Sequence, residues 1–156
     1  MKQRDASLFV ILGAIGLDAA TKEAALMFLE GRTVPVLPFL NLTLGFNRGV
    51  SFGLFSAEGA AGWWALILMT LAVSVLVGWL WHRAKAPLDR LGYAAVLGGA
   101  LGNLVDRLPD GAVTDFIDLH AAGWHFPTFN LADVAISGGV VLLLLSSTLS
   151  ARMQRA

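Results

Sequence analysis

The chain has 156 residues, 56% hydrophobic and 14% charged, with a mean hydropathy of +0.70. Soluble domains run at about 45–50% apolar and about 25% charged, so the composition points to a single-domain membrane protein. Zero net charge excludes bulk attraction to nucleic acid, and the absence of cysteine excludes disulfides, thiolate metal sites and a cysteine nucleophile.

Lys2 and Arg4 precede an apolar run from Leu8 to Leu17, the order seen at the start of a secretory signal peptide. Helical character continues through Asp18 and Lys22 without a cleavage site. Residues 6–29 are therefore expected as an uncleaved first transmembrane helix, roughly 36 Å long. Pro35 and Pro38 then argue against helix. From Leu40 to Asn47 apolar and polar residues alternate strictly, which predicts a strand with one greasy and one polar face. Strands cannot lie unpaired in lipid, so this segment belongs at the interface or against the helices.

A second span is expected over 63–81, with Trp63 and Trp64 at one end and Trp79 and Trp81 at the other, as in the aromatic belts of a bilayer. Third and fourth spans follow at about 88–108 and 133–149. Lys2, Arg4, Arg83, Lys85, Arg90, Arg152 and Arg155 fall on one side of this arrangement; Lys22, Arg32, Arg48 and Arg107 fall on the other. The positive-inside rule then makes both termini cytoplasmic. Most of the acidic residues lie in the opposite, outer half.

Several polar residues sit where membrane helices carry them at a cost. Asp18, Thr21 and Lys22 share one face of the first span, and a mutually neutralising Asp–Lys pair that fixes packing is the favoured reading. In the third span Gly98 and Gly102 form a small-xxx-small groove, able to pack helices within one chain or between two. Asn103, Asp106 and Arg107 fall on an adjoining face, either as a packed helix end or as groups that orient a polar substrate. Asn47 and Arg48 precede Gly49, a pattern that can be turn chemistry alone. Phe46, Phe52 and Phe55 supply apolar surface for lipid or a bound acyl chain.

Residues 109–132 are read as a loop, and the stretch from Val113 to Asp133 is too polar and aromatic for its neighbourhood, with Asp115 and Asp133 near its ends. Taken singly, Asp115 reads as a solvated loop carboxylate, and Asn130 or Asp133 as the N-cap of the fourth helix. Taken as a pair beside Trp124, Phe126 and Phe129, they could share a proton, one activating water while the other protonates the leaving group. His120, His125 and Asp118 lack a metal-ligand spacing, Ser51 has no evident base, and no phosphate-binding glycine loop is present. A small transport or channel subunit, relaying protons through Asp18, Asp106 and Asp133, is the non-enzymatic alternative.

Five motifs together resemble one family: Asp18-Ala-Ala-Thr-Lys22, Asn47-Arg-Gly-Val-Ser-Phe-Gly53, Gly98-Gly-Ala-Leu-Gly-Asn-Leu-Val-Asp-Arg107, Thr114-Asp-Phe-Ile117 and Phe129-Asn-Leu-Ala-Asp133. In order and separation they are similar to the lipoprotein signal peptidases, or signal peptidase II. Ala19 and Val134 depart from residues common in that family, away from the proposed dyad. The resemblance implies a mainly α membrane protein with four transmembrane helices, a small extracytoplasmic β-cradle at about 33–56 and a short extracytoplasmic helix or loop. It implies an aspartyl endopeptidase of the bacterial cytoplasmic membrane that removes signal peptides from prolipoproteins, cutting before a diacylglyceryl-modified cysteine. Asp115 and Asp133 would be catalytic. Asn47, Asn103, Arg107 and Asn130 would line the site, with Asp18, Lys22 and Asp106 in support and Asp118 left as a loop residue. No metal or organic cofactor is expected; the partners would be lipidated prolipoproteins and membrane lipid, with the chain active as a monomer.

Overall fold

A computed structural model describes residues 3–49 and 59–153. Ser51, Phe52, Phe55 and the end of the expected cradle lie outside the described residues. The fold is mainly helical, with helices α1 (Gln3–Leu29), α2 (Gly59–Arg83), α3 (Pro87–Asp110) and α4 (Leu131–Met153). Between them run strands β1 (Thr33–Leu37), β2 (Leu40–Asn47), β3 (Val113–Ala121) and β4 (Trp124–His125). The strands form one antiparallel sheet in the order β1-β2-β3-β4.

Helix α3 is the one against which α1, α2 and α4 all pack. Its glycines make this possible, because side chains there would hold the neighbours apart. A Cβ on Gly98 would stand 2.8 Å from the Ala14 Cβ of α1, and one on Gly99 would stand 2.3 Å from the Ala132 carbonyl oxygen of α4. The glycine groove thus packs helices within the chain.

Polarity runs opposite to that of a water-soluble bundle. Asp18, Lys22, Ser74, Asn103 and Ser146 are buried, whereas Phe9, Leu12, Leu68, Val75, Leu144 and Leu145 are exposed. Helices α2 and α4 are long and apolar enough to cross a membrane, with mean hydropathies of 2.1 and 1.9. The expected second span is longer than its tryptophans suggested, starting at Gly59 and ending at Arg83.

The period-two segment Leu40–Asn47 is a strand, as its alternation predicts. The expected loop 109–132 differs from expectation, since its first half is β3, the partner of β2. Its alternation was hidden because the run from Val113 to Phe116 is buried on both faces and carries Asp115 on one of them. Phe116 and Ile117 pack with Leu42 and Leu44 against Ala25 and Leu29, which docks the sheet on the end of α1.

Candidate active site

The site is built where α3 ends, β3 begins and α4 starts. Gly111 terminates α3 in the left-handed conformation (φ 76°), which a residue with a Cβ adopts only with strain, and its N–H reaches the Arg107 carbonyl at 2.9 Å. The Trp63 indole N–H donates to the same carbonyl at 3.1 Å. The chain then enters β3, where the Thr114 N–H donates to Asp106 Oδ2 at 2.6 Å. Pairing with β2 sets Asp115 opposite Gly45.

After the β3–β4 hairpin the chain folds back along β3. Phe116 and Ile117 both donate to the Phe129 carbonyl, at 3.0 and 2.9 Å, and Phe129 donates to the Ile117 carbonyl at 3.1 Å. This return delivers Asn130 to Asp115 and opens α4 one residue later. Asn130 Oδ1 accepts the Asp133 N–H at 3.0 Å, while Asp133 Oδ2 accepts the Asn130 N–H at 3.3 Å. That reciprocal pair is a capping box of Asn-x-x-Asp form. Asp133 therefore closes the helix start and still turns its other oxygen inward.

One asparagine joins the two carboxylates. Asn130, fully buried, donates through Nδ2 to Asp115 Oδ1 at 2.6 Å. Asn103 Nδ2 donates to Asp133 Oδ1 at 2.9 Å, and its own Oδ1 accepts from Asn130 Nδ2 at 3.2 Å and from Lys22 Nζ at 3.0 Å. Lys22 also pairs with Asp18 at 2.7 Å and Asp106 at 3.2 Å, while Asp18 Oδ1 accepts the Ala132 N–H at 2.9 Å. Asn47 hydrogen-bonds Asp115 and holds the Gly49 N–H at 3.0 Å, so turn chemistry and site chemistry coexist there.

Burial, and then the negative charge of Asp133, push the Asp115 carboxyl up to about 6; hydrogen bonds from Asn130 and Asn47 and the charge of Lys22 limit the rise. Asp115 is only 2% exposed as a residue. Both aspartates line one cavity of about 1510 Å³. Its polar end holds Asn47, Asn103 and Arg107, and its apolar end runs between α2 and α4 past Leu66, Met69, Val73 and Val141. Arg107 donates through one terminal nitrogen to the Gly49 carbonyl at 3.1 Å, while its buried Nε has no partner among the described residues.

The fold therefore gathers every residue singled out as catalytic, lining or supporting into one connected region. Asp18 and Lys22 form the pair anticipated, yet Lys22 also reaches the site through Asn103. Asp118, expected in a loop, is instead buried on β3, where Asn41 donates to it at 3.0 Å and His125 Nδ1 lies 2.8 Å away. Burial raises that carboxyl, but the His125 and Asn41 hydrogen bonds outweigh it and hold the group below the ordinary range. This clamp was missed because Asn41 and Asp118 become neighbours only through strand register. Trp63, read only as a belt residue, also anchors the α3 terminus. Among the described residues no group of three or more His, Cys, Asp or Glu side chains is placed to hold a metal ion.

Residues 10–149 match the family described as Signal peptidase (SPase) II. The chain is 39% identical over 146 residues to the lipoprotein signal peptidase of Photorhabdus laumondii, covering 92% of this chain and 87% of that one. It is 45% identical over 134 residues to that of Polynucleobacter necessarius, covering 82% and 80%. A bacterial membrane enzyme solved by the in meso method at 2.3 Å superposes with a TM-score of 0.81 at 27% identity, over 94% of this chain and 90% of that one. The match spans all five motifs, and the relatives align over most of their own length. The chain belongs to the signal peptidase II family.

Proposed function

We propose that this chain hydrolyses one peptide bond of a prolipoprotein, before its diacylglyceryl-modified cysteine, with Asp115 and Asp133 as the catalytic pair. The single observation that carries this reading is that one buried asparagine donates to both carboxylates, through its side-chain nitrogen to Asp115 and its backbone N–H to Asp133, on the wall of one cavity. Membership of an aspartic peptidase family excludes the transport alternative.

In the reactive state the pair holds one proton. Asp115, with its raised pKa, carries it and donates to the scissile carbonyl oxygen. Asp133 takes a proton from water as the water oxygen adds to the carbonyl carbon. As the tetrahedral intermediate collapses, the C–N bond breaks, the proton on Asp133 passes to the departing amide nitrogen, and a hydroxyl proton of the intermediate returns to Asp115. Asn47 and Arg107 orient the peptide backbone at the polar end. The apolar end between α2 and α4 accepts acyl chain or signal-peptide side chains.

The exposed apolar exterior supports four transmembrane helices, with the buried charges of α1 and α3 neutralised inside the bundle. The charge distribution supports cytoplasmic termini in the bacterial inner membrane, and the sheet and dyad near the outer face. The whole chain acts as one domain and as a monomer.

Turnover of a purified lipidated prolipoprotein tests the proposal. Asp115→Asn and Asp133→Asn should each lower kcat by at least about a thousandfold, while each variant still inserts in membranes. Full turnover with either carboxylate replaced would refute the dyad.

A further inference from the structure

Amide side chains present a donor at one end and an acceptor at the other, and the hydrogen-bond network decides which end faces where. On the Asn103 side of this network stands a group with no such freedom. The Lys22 ammonium can only donate, and it has three acceptors for its three hydrogens: Asp18 Oδ2, Asp106 Oδ2 and Asn103 Oδ1.

We propose that Lys22 is a positioning residue that sets the orientation of the Asn103 amide, so that this asparagine turns its N–H group to the catalytic carboxylate of Asp133. Facing Lys22, Asn103 must show its oxygen, which leaves its Nδ2 for Asp133 Oδ1 at 2.9 Å. The same oxygen accepts Asn130 Nδ2 at 3.2 Å. Asn130 is held independently by the backbone, its Oδ1 accepting the Asp133 N–H and its Nδ2 facing the Thr114 carbonyl and Asp115, so its nitrogen is a fixed neighbour for the Asn103 oxygen. Without a fixed donor at Lys22, Asn103 can flip. Its oxygen would then face Asp133, and the N–H that holds that carboxylate in place would be lost. Lys22 acts here without touching substrate, and its charge is spent on three partners, which rules it out as a base.

The inference rests on the aspartate dyad, and a structural role for Lys22 makes a different prediction. If Lys22 only neutralises buried acid, removing one acid with it restores function. The test is Lys22→Met combined with Asp18→Asn, which preserves local net charge and an acceptor for the Ala132 N–H. Charged groups around the dyad are Lys22 and Asp18 on α1, Asp106 and Arg107 on α3, and Arg48 at the cavity rim. We expect thermal unfolding close to wild type, KM within about twofold, kcat lower by about 10–100-fold, and an alkaline limb of the pH–rate profile moved upward. With Asn103 already changed to Leu, the Lys22 substitution should add less than about threefold. Lys22→Arg, also donor-only, should keep the wild-type limb. Wild-type kcat in the double variant, fully additive losses with Asn103→Leu, or a displaced limb in Lys22→Arg would each overturn the proposal. Asp133→Asn serves as the control: if it is active the dyad itself fails, whereas an inactive Asp133→Asn beside an unimpaired double variant defeats only the role of Lys22.

Discussion

Asn130 does two jobs that substitution can separate. Its Oδ1 caps α4, and its Nδ2 is the 2.6 Å donor to buried Asp115. Serine is as good an N-cap as asparagine but is too short to reach Asp115; alanine loses both roles. Losing the cap costs about 0.5–2 kcal/mol, so Asn130→Ala should unfold at lower temperature than Asn130→Ser. A hydrogen bond to a charged group contributes about 1.5–3 kcal/mol. At 1.36 kcal/mol per unit, its loss corresponds to a rise of about 1–2 units in the Asp115 pKa.

The sign of the activity change follows from the proposed singly protonated dyad. Losing the shared proton inactivates the free enzyme, so kcat/KM of the wild type should fall as pH rises through about 6. In both Asn130 variants that limb should move up by about 1–2 units, with turnover at the optimum lower by about 10–100-fold. The assay is kcat/KM against pH on a purified lipidated substrate in detergent, with unfolding followed by tryptophan fluorescence. A limb that stays at its wild-type position in Asn130→Ser, or equal unfolding temperatures for Ser and Ala, would refute the division of roles.

Two further outcomes follow from the same geometry. The folded Asp115 carboxyl lies above its ordinary value of 3.8, so its contribution to stability is greatest below that value and is lost as pH rises through about 6. Asp115→Asn should therefore be inactive yet unfold at higher temperature than wild type at neutral pH, with the gap closing towards pH 4; an unchanged or lowered midpoint at neutral pH would contradict the burial of that charge. Gly99→Ala places a Cβ 2.3 Å from the Ala132 carbonyl, a backbone atom that cannot step aside without moving the start of α4. It should cost about 1–3 kcal/mol and lower turnover through Asp133, as read by detergent unfolding and substrate cleavage; wild-type values in both would show that the helices have slack there.

Much of this protein was legible locally. Composition and the long apolar runs announced helices of membrane-spanning length, because a bilayer demands length and apolarity within one continuous segment. Leu40–Asn47 was legible as a strand since only one of its faces is greasy. Asn130 and Asp133 were each legible as N-cap candidates, since capping involves residues three apart. The five motifs pointed to the family and to Asn47, Asn103, Arg107, Asp115 and Asp133, which line one cavity, while Asn130, expected to line it too, is fully buried behind the wall.

What the chain could not show by itself were meetings between distant segments. Asn130, and with it the start of α4, reaches Asp115 only because 126–129 returns along β3, through backbone hydrogen bonds that carry no side-chain signature. Asp118 reads as a loop carboxylate until strand register brings Asn41 beside it at 3.0 Å. The contact between Lys22 and Asn103 joins residues 81 apart in sequence, so no helical periodicity could reveal it. Local chemistry, read residue by residue, determined which groups are available; only the tertiary structure decided which of them come within hydrogen-bonding reach, because hydrogen bonds act over about 3 Å and sequence separation does not measure that distance.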